Sequence, residues 1–234
     1  GYQALRFNTT GANNTAVGMQ AMYSNTFGDN NVAVGYGGLF SNTTGVSNTA
    51  VGWNAMYYNT TGRRNTAVGK SSLRSNTTAL GNAAFGYYTL NVNTSGIYNT
   101  AVGGQALRLN SVGNYNSAFG YKSLYNNTAN ANNAFGYYAL KANTIGTTNS
   151  AFGHLSLSSN TTGAQNSAFG YKSLNNNTIG VQNSAFGQQA LRDNTTGVAN
   201  NAFGYKALLN NTIGVNNSAF GWYALGSNTT GNHN

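Results

Sequence analysis

The chain repeats a unit of seventeen residues throughout its length, and this repetition constrains its fold more than any other feature. The copy from Gly170 to Phe186 reads Gly-Tyr-Lys-Ser-Leu-Asn-Asn-Asn-Thr-Ile-Gly-Val-Gln-Asn-Ser-Ala-Phe. Self-similarity at a fixed period indicates a repeat architecture, so residues 1–234 form a single repeat array. Its copies begin at Gly1, Gly18, Gly35, Gly52, Gly69, Gly86, Gly103, Gly120, Gly136, Gly153, Gly170, Gly187, Gly204 and Gly221.

Six columns appear when the copies are aligned from their first glycine, which we number position 1. Position 8 is Asn in every copy, position 14 is always Asn, and position 16 is always Ala. Position 9 is Thr except at Ser111, position 5 is Leu or Met, and position 17 is Val or Phe. The copy that starts at Gly120 has sixteen residues, and the one at Gly221 is truncated.

The pattern within each copy predicts short strands and no helix. No window has ten residues of helical periodicity free of Gly and Asn, as an amphipathic helix requires. Two apolar segments read as strands: Asn-Ser/Thr-Ala-Val/Phe, and the segment from the corner Gly through Ala/Ser-Leu. The segment Asn-Thr-Thr-Gly is typical of a turn. We therefore predict an all-β fold, a parallel β-solenoid (β-roll or β-helix) of about fourteen 17-residue rungs with Asn ladders between them.

Adjacent apolar residues in both predicted strands suggest self-association. Ala16 and Val17 recur side by side, as do Ala4 and Leu5, although neighbouring strand residues face opposite ways. Strands that are apolar on both faces are usually buried on both. We expect the second face to meet another copy, as a homotrimer or in an end-to-end filament, with a monomer as the alternative.

Composition limits the partners of the chain. The net charge is +9 with only 6% charged residues, and the eleven basic residues are spread singly apart from Arg63-Arg64. This spread is unlike a nucleic-acid interface, so we expect no nucleic acid. It fits a solubilising surface or attraction to an anionic polysaccharide. Cysteine is absent, which removes disulfides and thiolate metal sites, and no apolar run is long enough for a membrane span.

The chain has no initiator Met, signal peptide or polar capping repeat, and solenoid ends normally need such caps. We expect either the middle of a longer chain or a unit that stacks on copies of itself.

The repeat resembles those of known fibrous surface proteins. Asn-Ser-Ala-Phe-Gly and Asn-Thr-Ala-Val-Gly are similar to the Asn-Ser-x-Ala-x-Gly repeats in the heads of trimeric autotransporter adhesins. The full unit, as in Gly1 to Val17, looks more like repeats of phage tail fibres and bacterial surface proteins. The resemblance implies an extracellular, trimeric fibre at a cell or virion surface. The adhesin repeat is shorter, so receptor and anchoring are not carried over.

The sequence has few residues that could carry out catalysis. The two acids, Asp29 and Asp193, are many rungs apart, and His154 and His233 have no partner at triad or metal spacing. The Gly-rich segments lack the Lys-Ser/Thr of a phosphate-binding loop. We expect no enzyme activity, no metal and no cofactor.

N-glycosylation sequons recur along one edge of the predicted rod. Most start at position 8, and where position 10 is not Thr or Ser an Asn at position 7 often restores a sequon. Turn chemistry in a chain rich in Asn and Thr is the alternative. The acceptors are Asn8, Asn42, Asn59, Asn76, Asn93, Asn126, Asn160, Asn176, Asn194, Asn210 and Asn228.

An aromatic and basic surface is the second candidate site. Position 2 is Tyr or Trp in nine copies, and Lys follows Tyr in three of them. Such a surface suits sugar rings or a partner chain, whereas stacking that merely stiffens the rod is the alternative. The residues that we single out are Tyr121, Lys122, Tyr171, Lys172, Tyr205 and Lys206.

The sequence therefore predicts a structural protein, a shaft, adhesin body or filament segment made of stacked β-rungs. Carbohydrate binding is the alternative. Ice binding by the Thr column at position 9 is less favoured, because position 10 alternates Thr with Ile in later copies, as at Thr162 and Ile179.

Overall fold

The computed structural model describes all residues from 1 to 234 and shows a parallel β-solenoid without helices. The chain divides into two compact units, Gly1–Asn116 and Ser117–Asn234. Within each unit the strands pair in parallel and in sequence order, in register at a fixed repeat position. No helix is long and apolar enough to cross a membrane.

Each strand has three residues and occupies positions 15 to 17 of its copy. The first unit contains β1 (Thr15–Val17), β2 (Val32–Val34), β3 (Thr49–Val51), β4 (Thr66–Val68), β5 (Ala83–Phe85) and β6 (Thr100–Val102). The second contains β7 (Ser117–Phe119), β8 (Asn133–Phe135), β9 (Ser150–Phe152), β10 (Ser167–Phe169), β11 (Ser184–Phe186), β12 (Asn201–Phe203) and β13 (Ser218–Phe220). These thirteen strands make about twelve turns, fewer than the fourteen rungs predicted, because the last copy lacks positions 15 to 17.

The second predicted strand is wrong, because positions 1 to 7 form a turn. Lys172 at position 3 and Leu174 at position 5 have φ of 54° and 46°, a left-handed conformation that no strand contains and that costs ~1–2 kcal/mol for an L-residue. Hydrogen bonds to both neighbouring rungs compensate: Leu174 N–H donates to Ala190 O of the next rung at 3.0 Å, and Lys172 N–H donates to His154 O of the preceding rung at 3.0 Å. The turn aims positions 4 and 5 into the same interior, and Ala190 and Leu191 are both fully buried.

The interior therefore contains small and medium apolar residues from one strand and one turn. Leu174 and Ala185 in the Gly170 rung are fully buried, and Phe186 is half-buried on the outside of the strand. Gly170 has φ of 134°, and a Cβ there would lie 2.5 Å from Gly187 O. Position 1 is thus restricted to Gly by both backbone conformation and space.

The Asn columns at positions 8 and 14 form the predicted amide ladders inside the rungs. Asn177 Nδ2 donates to Asn160 Oδ1 at 2.8 Å and to Gly180 O at 3.0 Å, which closes its own turn. Asn183 Nδ2 donates to Asn166 Oδ1 at 3.2 Å and to Gly197 O in the next rung at 2.8 Å. Both residues are fully buried. Buried amides must be paired, so this bonding explains why both positions are always Asn.

The Thr column at position 9 stabilises the turn between rungs. The carbonyl of Thr195 accepts from the backbone N–H groups of Thr178, Ile179 and Gly180 at 2.9–3.3 Å. It also accepts from Thr178 Oγ1 at 3.1 Å. The Thr hydroxyl proton is therefore used within the protein.

Candidate functional site

The outer face of the sheet is the most regular surface of the molecule. Strand residues alternate between faces, so in β11 Ala185 points inward and is buried, and Ser184 and Phe186 point outward and are half-buried. The same alternation gives every strand an outer pair of residues at positions 15 and 17. We call the two columns together the sheet face.

The second unit has an unbroken column of phenyl rings on its sheet face. Successive rings lie 4.6–5.0 Å apart between centroids and within 8° of parallel, which matches the strand spacing of ~4.8 Å. The rings thus stack along the solenoid axis, with their edges turned outward. The column contains Phe119, Phe135, Phe152, Phe169, Phe186, Phe203 and Phe220.

The two outer positions vary together in all thirteen strands. Every strand with Val at position 17 has a β-branched residue at position 15, as in Thr49-Ala-Val51. Every strand with Phe at position 17 has Ala, Ser or Asn at position 15, as in Ser184-Ala-Phe186. The Phe-type strand β5, which lies among Val-type strands, obeys the same rule with Ala83. In eleven of the thirteen strands a larger side chain at one position is offset by a smaller one at the other, and in β8 and β12 an Asn, which is about as large as Thr, lies beside Phe.

The predicted Tyr and Lys residues meet as pairs within each rung. Lys172 Nζ lies 5.3 Å from the centroid of the Tyr171 ring, and the corresponding distances are 5.2 Å for Lys122 over Tyr121 and 5.0 Å for Lys206 over Tyr205. Exposed cation–π pairs of this kind contribute ~0.5–1 kcal/mol.

Part of the position 2 column is itself a ring stack. Tyr121, Tyr137, His154 and Tyr171 follow one another with centroids 5.1–5.8 Å apart and planes within 22°. A sugar ring stacks on a free aromatic face, whereas the faces of Tyr137 and His154 are covered by their neighbours. The geometry thus favours rod stiffening over sugar binding at these two residues.

Tyr137 and Tyr138 differ in their acidity because they share a hydrogen bond. Their ring centroids are 4.1 Å apart. The hydroxyl of Tyr137 stabilises the phenolate of Tyr138, which raises the pKa of Tyr137 and lowers the pKa of Tyr138, with a further lowering from Lys122 and Lys141. The hydrogen bond with Tyr121 raises the pKa of Lys122.

The first unit has a different aromatic column, at position 6, which the sequence analysis did not find. Tyr23, Phe40 and Tyr57 stack with centroids 5.0 and 4.7 Å apart and planes within 4°. Arg6 lies over Tyr23 at 5.8 Å, and Arg74 over Tyr57 at the same distance. Alignment of position 6 by itself shows these three rings, so the signal was present in the sequence.

Six of the eight position 8 sequons are buried in the folded rungs, which weighs against glycosylation at these acceptors. Six acceptors are fully buried, and their Nδ2 atoms donate to the neighbouring rung's Asn in the amide ladder. They are Asn42, Asn59, Asn76, Asn93, Asn160 and Asn194.

The remaining acceptors lie nearer the surface. Asn8 and Asn228 are half-buried, and both donate to backbone carbonyls of their own turns. At position 7, Asn126 and Asn210 are half-buried and Asn176 is exposed. Glycan attachment remains a prediction for position 7.

The two acidic residues make local contacts. Asp29 Oδ1 accepts from Ala12 N–H at 2.7 Å, and Asp193 forms an ion pair with Arg192 at 2.6 Å. The bond with Asp193 raises the pKa of Arg192. No three His, Cys, Asp or Glu residues lie close enough together to hold a metal ion.

Comparisons of the chain with protein-family models, curated proteins and solved structures find no match.

Proposed function

We propose that this chain is a structural segment of an extracellular fibre or filament, a shaft or adhesin body that assembles with copies of itself. The observation that carries the proposal is the pair of buried Asn ladders. Asn160, Asn177 and Asn194 form one series of bonds along the axis of the second unit, and Asn42, Asn59 and Asn76 form the same series in the first. Stability is therefore built rung by rung, as in a rod of repeated units.

The ladders suit a load-bearing role. Each rung is joined to the next by strand bonds, by the turn that surrounds the Thr195 carbonyl, and by amides such as Asn183. Buried amide bonds that run in series stiffen a cross-section. The extracellular setting rests on the resemblance of the repeat to those of tail fibres and adhesin heads.

Carbohydrate binding at the Tyr and Lys pairs is the second candidate. The exposed edges of Tyr171 and Tyr205, which are 42% and 37% exposed, and the adjacent cations favour it. The covered ring faces of Tyr137 and His154 weigh against it. Ice binding by the Thr column receives less support, because hydroxyls such as that of Thr178 donate to the next rung.

Electron microscopy and light scattering of the purified chain test the proposal. A fibre segment is expected to give rods of constant width and a mass above the 24.5 kDa of one chain. Particles of 24.5 kDa at every concentration would contradict self-association. Glycan-array binding that is lost in both Tyr171→Ala and Tyr205→Ala, with no assembly, would instead support the carbohydrate-binding alternative.

A further inference from the structure

We propose that the sheet face, formed by positions 15 and 17, is the surface through which the chain binds a second copy of itself. This inference rests on the proposed structural function and deepens it, since it assigns the self-association to one face. It is independent of the Asn ladders, which lie inside the rung.

The compensation between positions 15 and 17 is the first observation. A surface that faces only water tolerates bumps and hollows, whereas a surface packed against another loses stability from both voids and excess volume. The outer pair is a β-branched residue with Val in five strands and Ala or Ser with Phe in six, and Thr with Phe does not occur in any strand. Only β8 and β12, with Asn beside Phe, depart from this compensation. A surface held at one height over most rungs suits a flat contact.

Charge supplies the second observation. The chain has eleven basic and two acidic residues, so contact between two copies through a cationic surface would bring like charges together. All of these charged residues lie at positions 2, 3, 6, 7, 12 and 13, as at Lys172, Arg192 and Arg63. The sheet face is uncharged in every rung and can meet its own copy without repulsion.

The turn at positions 9 and 10 is also uncharged, but it is uneven. Position 10 ranges from Ser95 to Phe27 and includes Ile179, and position 9 stays Thr or Ser throughout, so no neighbour compensates. Ile179 and Phe27 are 53% and 59% exposed. The sheet face is therefore the better candidate of the two uncharged surfaces.

Axial spacing identifies the partner as a second copy. The phenyl rings repeat at 4.6–5.0 Å, and only a partner with the same axial spacing can match every ring. Another copy of this chain has that spacing by construction.

Two triple variants in the same three rungs test the proposal. One places arginines on the sheet face, Ser167→Arg, Ser184→Arg and Asn201→Arg. The control adds the same charge to the turn, Thr162→Arg, Ile179→Arg and Thr196→Arg. Sedimentation equilibrium gives the mass of each, with circular dichroism to verify folding. We expect a multiple of 24.5 kDa for the wild type and the control, and 24.5 kDa for the sheet-face variant.

Uncharged variants cover the case in which the arginines prevent folding. Ser150→Thr, Ser167→Thr and Ser184→Thr beside the retained Phe overfill the sheet face, and we expect a dissociation constant about tenfold higher, since excess volume disturbs a packed contact. Adding Phe152→Val, Phe169→Val and Phe186→Val restores the volume and the affinity. An oligomer that survives all sheet-face changes overturns this inference alone. A monomeric wild type overturns it together with the proposed self-association.

Discussion

The two units have the same kind of interior but differ on their surfaces. Asn59 and Asn177 occupy the same position 8, are both fully buried, and make the same pair of Nδ2 bonds. On the sheet face the first unit has mostly Val-type strands, and the second has only Phe-type strands. The first unit instead stacks aromatic rings at position 6, where the second has Lys141 and Asn175.

The difference separates what the fold requires from what the surface is free to change. Interior positions are fixed because each buried amide needs its partners. On the outside, the unbroken phenyl column of the second unit has no counterpart in the first, and the residue types at positions 15 and 17 vary together in both units. This covariation on an outer surface is an observation from which we propose the sheet face as a contact surface.

Removal of one ladder amide should have the largest effect, and an equal one in the two units. Asn177→Ala leaves Asn160 Oδ1 without its donor, and it removes one of two bonds at Gly180 O and at Asn194 Nδ2, which keep Asn166 Nδ2 and Gly197 O as partners. We expect a loss of ~4 kcal/mol in free energy of unfolding, since a stranded buried group costs ~1–3 kcal/mol and each other lost bond ~0.5–1.5 kcal/mol. Denaturant unfolding measures the loss.

The matched changes are Asn59→Ala in the first unit and Asn176→Ala at the neighbouring exposed residue. Asn59→Ala should lower the free energy of unfolding by as much as Asn177→Ala. Asn176→Ala should change it by less than ~0.5 kcal/mol. A large difference between Asn59 and Asn177 would show that the interiors are not equivalent.

A β-branched residue at position 5 should have the next largest effect. Leu174 is fully buried with φ of 46°, a conformation that β-branched residues avoid. Leu174→Ile keeps the volume and should still cost ~2–3 kcal/mol in free energy of unfolding. Leu174→Met, which copies Met56 of the first unit, should cost less than ~1.5 kcal/mol. If thermal unfolding shows the Leu174→Ile variant to be as stable as the Leu174→Met variant, the proposed backbone constraint is contradicted.

Exchange of strand types between the units should show coupling of ~1 kcal/mol, typical of contacting residues. Val51→Phe by itself makes a mixed pair with Thr49 and should destabilise the first unit or its assembly. Adding Thr49→Ser restores a pair found in the second unit and should recover most of the loss. A double-mutant cycle on unfolding and on assembly measures the coupling. Additive effects of the two substitutions would contradict the compensation between positions 15 and 17.

The smallest effect concerns two tyrosines in different units. Burial, with smaller contributions from Tyr58 and Tyr36, raises the pKa of Tyr57 in the first unit, whereas the bond from Tyr137 and the nearby Lys122 lower the pKa of Tyr138 in the second. As pH rises, Tyr138 should therefore ionise before Tyr57, as followed by ring NMR shifts. The stabilisation from Tyr138 is present above the unfolded pKa and is lost as pH falls through the folded one.

Lys141→Ala should raise the pKa of Tyr138 and leave that of Tyr57 unchanged, since Lys141 contributes only to Tyr138. The reverse order of ionisation in the wild type would mean that the Tyr137–Tyr138 bond does not form in solution.

The sequence predicted the fold class correctly because its signals were local. Asn-Ser/Thr-Ala-Val/Phe alternates as a strand does, and Asn177 to Gly180 has turn chemistry. The segment around Leu174 misled because Ala and Leu have no marked preference for left-handed backbone. The absence of Ile and Val from position 5, in a chain that uses both elsewhere, was the available signal.

The candidate sites were less predictable, since burial depends on the rung as a whole. A sequon at Asn59 reads the same as one at the surface, yet the ladder buries it. The compensation on the sheet face was visible in the sequence but has meaning only once positions 15 and 17 are known to share a face.

A reconstruction of the assembled chain by electron cryomicroscopy tests the central claim most directly. We predict that the sheet faces lie at the contact between copies, with the column from Phe119 to Phe220 and the Val column of the first unit covered, and the Lys172 and Lys206 columns in solvent. Copies that meet through the position 2, 3 or 10 columns, with the phenyl column in solvent, would contradict the claim.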